Sequence, residues 1–162
     1  MDGVEPLAGR PPASLPLPAS LPLPASFLTV PYVGARHPGS RAVAERPGLS
    51  DGANCQLFAY RVLEHFGVRA PELRSAELWA DARSGVRVTT ARPLDLLLFN
   101  ATDDAFGAHV GVCAGEDAVL HLCAEVGRPA VWRPADFAAR DRYRILVGIK
   151  RITDVVGAAD IS

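Results

Sequence analysis

The chain has 162 residues, 49% of them apolar, which suits one domain built around one core. Its 17 Lys and Arg nearly cancel 18 Asp and Glu, leaving a net charge of −1 and no basic field to gather a nucleic acid. Three cysteines without a Cys-x-x-Cys pair do not make a disulfide framework, and no apolar run reaches the roughly 18 to 20 residues of a membrane span.

The opening "MDGVEPLAGRPP" is acidic rather than basic, so no signal peptide is expected; the cytoplasm is the default compartment, and an extracellular location by another route stays open. From Pro12 the hexad "PASLPL" occurs at 12–17 and again at 18–23, followed by "PASF". Prolines this dense lack backbone donors and favour polyproline geometry. Residues 1–26 therefore read as a disordered spacer, with docking to a proline-recognising partner as the functional variant, and the folded body is expected to start near Phe27.

After a Gly, Pro and charge-rich loop, apolar residues at Phe58, Val62 and Phe66 and at Ala59 and Leu63 repeat at i, i+4 and predict a helix over Asn54 to Phe66. Asp51 or Asn54 caps its start, and Gly67 stops it. "PELRSAELWAD" predicts a second helix from about Pro71 to Asp81. Beyond Gly85 come short β-prone runs: "VRVTT", "LDLLLF", "AHVGVCA", "AVLHLCAEV", "AVWRP" and "RILVGIKRI", with a helical turn at "PADFAARDRY". Helices first and strands afterwards predict an α+β domain, with N-terminal helices packed on an antiparallel meander of five or six strands.

Cys55 falls at the start of the first helix, where the helix end and its free N–H groups favour a thiolate; the alternative is a small buried hydrophobe. His109 opens "HVGVCA" and His121 lies in "VLHLCA", with "AGED" between them as a turn. In a hairpin whose paired positions sum to about 230 or 232, the two rings share a face, opposite or diagonal to one another. A base oriented by a third polar group is the arrangement that activates a thiol. In the same registers Cys113 and Cys123 lie well apart along the ladder, which argues against a disulfide between them. A zinc site on Cys55, His109 and His121 is the rival use of these atoms, but no metal-ligand spacing signature accompanies them, and no metal or cofactor is expected. His65 is ten residues up the helix from Cys55, about 15 Å away, and cannot serve that thiol; His37, in a Gly-Pro loop, reads as a surface residue.

A cysteine at a helix start, His109 in "AHVGV" and His121 in "VLHL" together resemble the NlpC family of papain-like cysteine peptidases, over about Val30 to Ile152. "PYVG" at 31–34 is similar to the family's tyrosine-bearing segment, "ARPLDLLLF" at 91–99 to its Pro-Gly-Asp-Leu strand start, and "RYRILVGIKRI" at 142–152 to its closing strand. The resemblance implies a papain-like NlpC-type fold over residues 27–153 and a flexible C-terminal tail at 154–162. It implies Cys55 as nucleophile, His109 as base, His121 as orienting residue, and Tyr32, Asn54 and Gln56 as substrate-binding residues. The expected reaction is cleavage of an amide or isopeptide bond in a small peptide, such as a peptidoglycan stem peptide, through an acyl-enzyme. Acyl transfer by the same thiol and an inactive peptide-binding module are the alternatives. The chain departs from the family pattern in two places. Asn-Cys-Gln-Leu replaces Asp-Cys-Ser-Gly around the thiol, removing a carboxylate that would pair with an ammonium group, and Leu94 stands where glycine is usual.

Overall fold

The computed structural model of the protein describes residues 10–156. Its helices are α1 (Arg41–Glu45), α2 (Cys55–His65), α3 (Ser75–Ala80) and α4 (Pro134–Ala138). The strands are β1 (Gly85–Val88), β2 (Leu96–Asn100), β3 (His109–Gly115), β4 (Ala118–Leu122), β5 (Pro129–Trp132) and β6 (Ile145–Ile152). All six predicted runs are strands of one antiparallel sheet, but only β2 to β5 form a meander. The order is β1-β6-β2-β3-β4-β5, because β6 returns to pair with both β1 and β2. Pairings so distant in sequence leave no local signal for the order.

Helix α2 is buried along most of its length, with Leu57, Phe58, Ala59, Tyr60, Val62 and Leu63 in the core. Its ends follow the expected chemistry. Asn54 caps the start through Oδ1, which accepts the Leu57 N–H at 2.8 Å. At the other end Gly67, at φ +81°, closes a Schellman turn in which its N–H donates to the Glu64 carbonyl and that of Val68 to the Leu63 carbonyl. The second helix is shorter than predicted: Pro71 to Leu73 stay outside it.

The aliphatic core lies between α2 and one sheet face, on Leu96, Leu98, Val110, Val112, Leu120 and Leu122. The opposite face carries a second cluster with Phe99, Trp132, Phe137 and Tyr143, the last two supplied by α4 and the turn after it.

Two boundary expectations are corrected. Within the described part of the proline-rich segment, Leu21 is 1% exposed in the main core, and Leu15, Leu17 and Leu23 pack against it. Ser14 Oγ accepts the Val131 N–H, the Leu15 N–H donates to the Val131 carbonyl, and Ser20 Oγ donates to the Ala114 carbonyl. The prolines do forgo backbone donors, but each hexad also brings a serine and two leucines; Ser14 and Leu15 cover the outer edge of β5, which would otherwise offer unpaired backbone groups, and Ser20 reaches β3. The body thus begins well before Phe27; residues 1–9 lie outside the described residues. At the other end Asp154 to Val156 are not a free tail: the Asp154 carbonyl accepts the Arg69 N–H, and the Val156 N–H donates to the Gly67 carbonyl. Residues 157–162 lie outside the described residues.

Leu94 sits at φ +77°, a region that costs a side-chain-bearing residue about 1–2 kcal/mol. Its side chain packs against the main core, and the turn is held by Asp95, which accepts the Arg92 N–H and a two-pronged pair from Arg151, both contacts at 2.8 Å.

Candidate active site

The β3–β4 hairpin pairs Val112 with Leu120 and Cys113 with Val119, a register summing to 232, and turns on Glu116 and Asp117, both at positive φ. His109 and His121 are therefore diagonal neighbours on one face. Between them Gly111 faces His121 across the ladder. A Cβ there would meet Val119 Cγ1 at 2.6 Å, so glycine keeps open the space across which the imidazole reaches. His109 Nε2 and His121 Nδ1 stand 2.9 Å apart. His109 directly faces Phe99 on β2.

An aromatic wall surrounds the pair. The Tyr143 ring is 4.6 Å from His109, and Trp132 and Phe137 are 4.2 Å and 4.6 Å from His121, centroid to centroid. Removed from water, an imidazolium is disfavoured. Burial, helped by the Arg142 guanidinium, lowers the pKa of His109 to about 3, and burial followed by the neighbouring His109 holds His121 well below the ordinary histidine value. Both rings are neutral. His121 Nε2 finds no hydrogen-bond partner among the described residues.

Cys55 is the first residue of α2 and is partly exposed. Its sulfur faces the backbone N–H of Val110, the residue after His109, together with those of Gln56 and of Cys55 itself. These N–H groups and Arg74 favour the thiolate, but burial outweighs them and pushes the thiol above its ordinary value. The expectation of a thiolate at the helix end is thereby corrected: desolvation exceeds what the helix end supplies. The thiol on α2 thus meets β3 at Val110, the residue that follows His109.

Tyr32 lies beside the thiol. It bridges to Ala53 in parallel and donates its N–H to the Gly127 carbonyl at 2.9 Å; burial, then Cys55 and Cys123, raise its hydroxyl above the usual tyrosine range. Asn54 and Gln56, expected as substrate contacts, are instead buried and engaged within the protein. Asn54 spends Oδ1 on the helix cap, while Gln56 donates to Ser75 Oγ at 2.5 Å and accepts from Arg74 Nε at 3.0 Å. Ser75 Oγ in turn donates to the Ala108 carbonyl at 2.6 Å, tying α2 and α3 to the residue before His109. Among the described residues no three His, Cys, Asp or Glu side chains gather as a metal site, and no helix is long and apolar enough to cross a membrane.

Several neighbours escaped the sequence reading. Arg36, 6% exposed, donates to the carbonyls of Gly52, Ala42, Arg46 and Gly48, and its own carbonyl accepts the Asn54 N–H. It thereby pins the loop that leads into Cys55. Phe137 comes from a stretch read as a helical turn, and Arg142 and Tyr143 from where that turn meets the closing strand. Cys123, hydrogen-bonded to Tyr143, shares the face of His121 by strand parity, a signal that was present in the hairpin register. Beside these residues a groove of about 650 Å³ is lined by Ala124, Glu125, Ala139, Arg140, Asp141 and Arg142. A second groove, of about 680 Å³, lies around His65 at the far end of α2, away from the thiol.

No protein-family model and no curated protein matches the chain. Among solved structures it is similar to an NlpC/P60 family protein from Bacillus cereus ATCC 10987, with 19% identity and a TM-score of 0.53 over 82% of this chain. The match spans 41% of that protein's length. The NlpC/p60 domain of the peptidoglycan hydrolase SagA also matches, at 21% identity and a TM-score of 0.45, over 70% of this chain and 85% of that domain. The chain has the NlpC/P60 fold, with helices on an antiparallel six-stranded open sheet.

Proposed function

We propose that the protein is a cysteine hydrolase that cleaves an amide or isopeptide bond in a small peptide through an acyl-enzyme on Cys55. The observation that carries this reading is the convergence at one end of β3: a partly exposed cysteine at a helix start, its sulfur facing three backbone N–H groups, beside an imidazole held by a second imidazole at 2.9 Å.

The neutral state of both partners sets the chemistry. His109 uses Nε2–H to donate to His121 Nδ1, which leaves Nδ1 free to take a proton. With the thiol protonated and the imidazole neutral, proton transfer from Sγ to His109 Nδ1 accompanies attack of sulfur on the carbonyl carbon. The oxyanion is met by the N–H groups of Cys55 and Gln56 at the helix start. Return of the proton from His109 to the leaving nitrogen expels the amine and leaves a thioester. Water, deprotonated by the same Nδ1, then attacks the thioester and releases the acid, restoring the thiol. His121 is a positioning residue. What supports a peptidoglycan stem peptide as the substrate is the motif resemblance of "PYVG", "HVGV" and "VLHL" together with the NlpC/P60 fold.

Turnover of a panel of stem peptides, with intact-mass detection of the acyl-enzyme, tests the proposal. Cys55→Ala and His109→Ala should each lower kcat/KM by about 10³-fold or more while the proteins stay folded. Undiminished turnover in Cys55→Ala overturns it. An amide product when an external amine is added marks acyl transfer in place of hydrolysis.

A further inference from the structure

Arginines act on the thiol and on the imidazole: Arg74 on Cys55 and Arg142 on His109. Arg74 is anchored through Nε to Gln56, the residue after the nucleophile, which spares its two terminal nitrogens; the residue is exposed. Arg142 is also exposed; its guanidinium carbon lies 5.9 Å from the centre of the Tyr143 ring, which itself lies 4.6 Å from His109, and it lines the groove that opens beside the histidine pair. In that groove Glu125 is taken by Arg140, Nε to Oε1 at 2.9 Å, and Asp141 is exposed at the start of the turn. Arg142 makes no salt bridge among the described residues. Where a carboxylate would precede the thiol stands Asn54, neutral and committed to the helix cap.

From this arrangement we infer that Arg74, beside Cys55, and Arg142, on the side of His109, are specificity-determining residues that hold a carboxylate of the acyl donor, so that the site takes an anionic amide and disfavours a free ammonium group close to the scissile bond. The inference rests on Cys55 and His109 acting as proposed above. A guanidinium presents paired N–H donors that match a carboxylate, and with its aliphatic stem fixed at one nitrogen Arg74 loses little freedom on binding.

Two small alkylating agents of the same reactivity class, iodoacetate and iodoacetamide, separate the charge of the site from the reactivity of the thiol. The ratio of their rates at Cys55, read by peptide mapping, should exceed the ratio for free cysteine by about five- to tenfold at low salt and fall as salt is raised. Arg142→Gln and Arg74→Gln should each lower the ratio several-fold, and Arg142→Lys and Arg74→Lys should restore most of it. Cys55 that reacts in a His109-dependent way, yet with the free-cysteine ratio or with a ratio unmoved by both Gln variants, overturns the anion site and leaves the hydrolase standing. Cys55 no more reactive than Cys113 and Cys123, and indifferent to His109→Ala, overturns the hydrolase and this inference with it.

Discussion

On the face that meets α2, the sheet presents Leu96, Leu98, Val110, Val112, Leu120 and Leu122 to an equally aliphatic helix. On the other, Phe99, Trp132, Phe137 and Tyr143 enclose two histidines that alternate with those aliphatic residues along the same strands. The first face stabilises by area removed from water and carries Cys55 on its helix; the second keeps water from the imidazoles and disfavours their charge. One pair of strands, by alternation alone, thus supplies a core on one side and a pair of facing imidazoles on the other.

The comparison is broken or sharpened most by Trp132→Ala. Removing a fully buried ring should cost about 3–5 kcal/mol in chemical denaturation and, by admitting water beside His121, should move protonation of the histidine pair toward ordinary values in NMR titration. Leu98→Ala, on the aliphatic face, should cost about 2–5 kcal/mol and leave that titration where it is. An equal titration shift in both variants would mean that the two faces do not act separately.

Gly111→Ala comes next, at about 1–3 kcal/mol, since the new methyl collides with Val119 Cγ1. It should also push His121 out of reach of His109, lowering the His109-dependent alkylation of Cys55. Stability lost with alkylation intact would assign the glycine to packing alone.

A further test is read from pH. His109 titrates at about 3 in the fold, against about 6.5 in the unfolded chain, and His121 is shifted the same way. The stability they contribute is complete above pH ~6.5 and is lost progressively as pH falls toward the folded value, because the unfolded chain takes up protons the fold refuses; for His109 alone the slope is about 1.4 kcal/mol per pH unit. Denaturation midpoints at pH 7.5, 6 and 5 check this, and a flat profile would show that the aromatic wall does not exclude charge. The partly desolvated Cys55 thiol acts at the other end: with its pKa raised, its contribution is complete below pH ~8.5 and lost as pH climbs through the folded value.

Much of the site was legible from local pattern. The i, i+4 repeat placed Cys55 at a helix start, and strand parity with the "AGED" turn placed His109 near His121, because both depend on periods of a few residues. The internal partners of Asn54 and Gln56 were not legible, because the sequence position of a polar side chain does not say whether its partner is a substrate or another part of the protein. Arg36, Arg74 and Arg142 were missed for a related reason: charged residues in loops look alike until the loop closes on its carbonyls or on the site.

The proline-rich hexad shows the same division. Its lack of donors and its extended geometry are properties of the residues themselves, whereas the pairing of Ser14 and Leu15 depends on a β5 edge more than a hundred residues away. By itself the sequence determined the helix that bears Cys55, the six strands, the shared face of the two histidines and the α+β class, since each follows from backbone preference and short-period alternation. Only the tertiary structure decided the insertion of β6 between β1 and β2, the aromatic enclosure that keeps the histidines neutral, and the protonated state of the thiol. Burial and long-range pairing are properties of the assembled fold, and desolvation there outweighed the local field of the helix end.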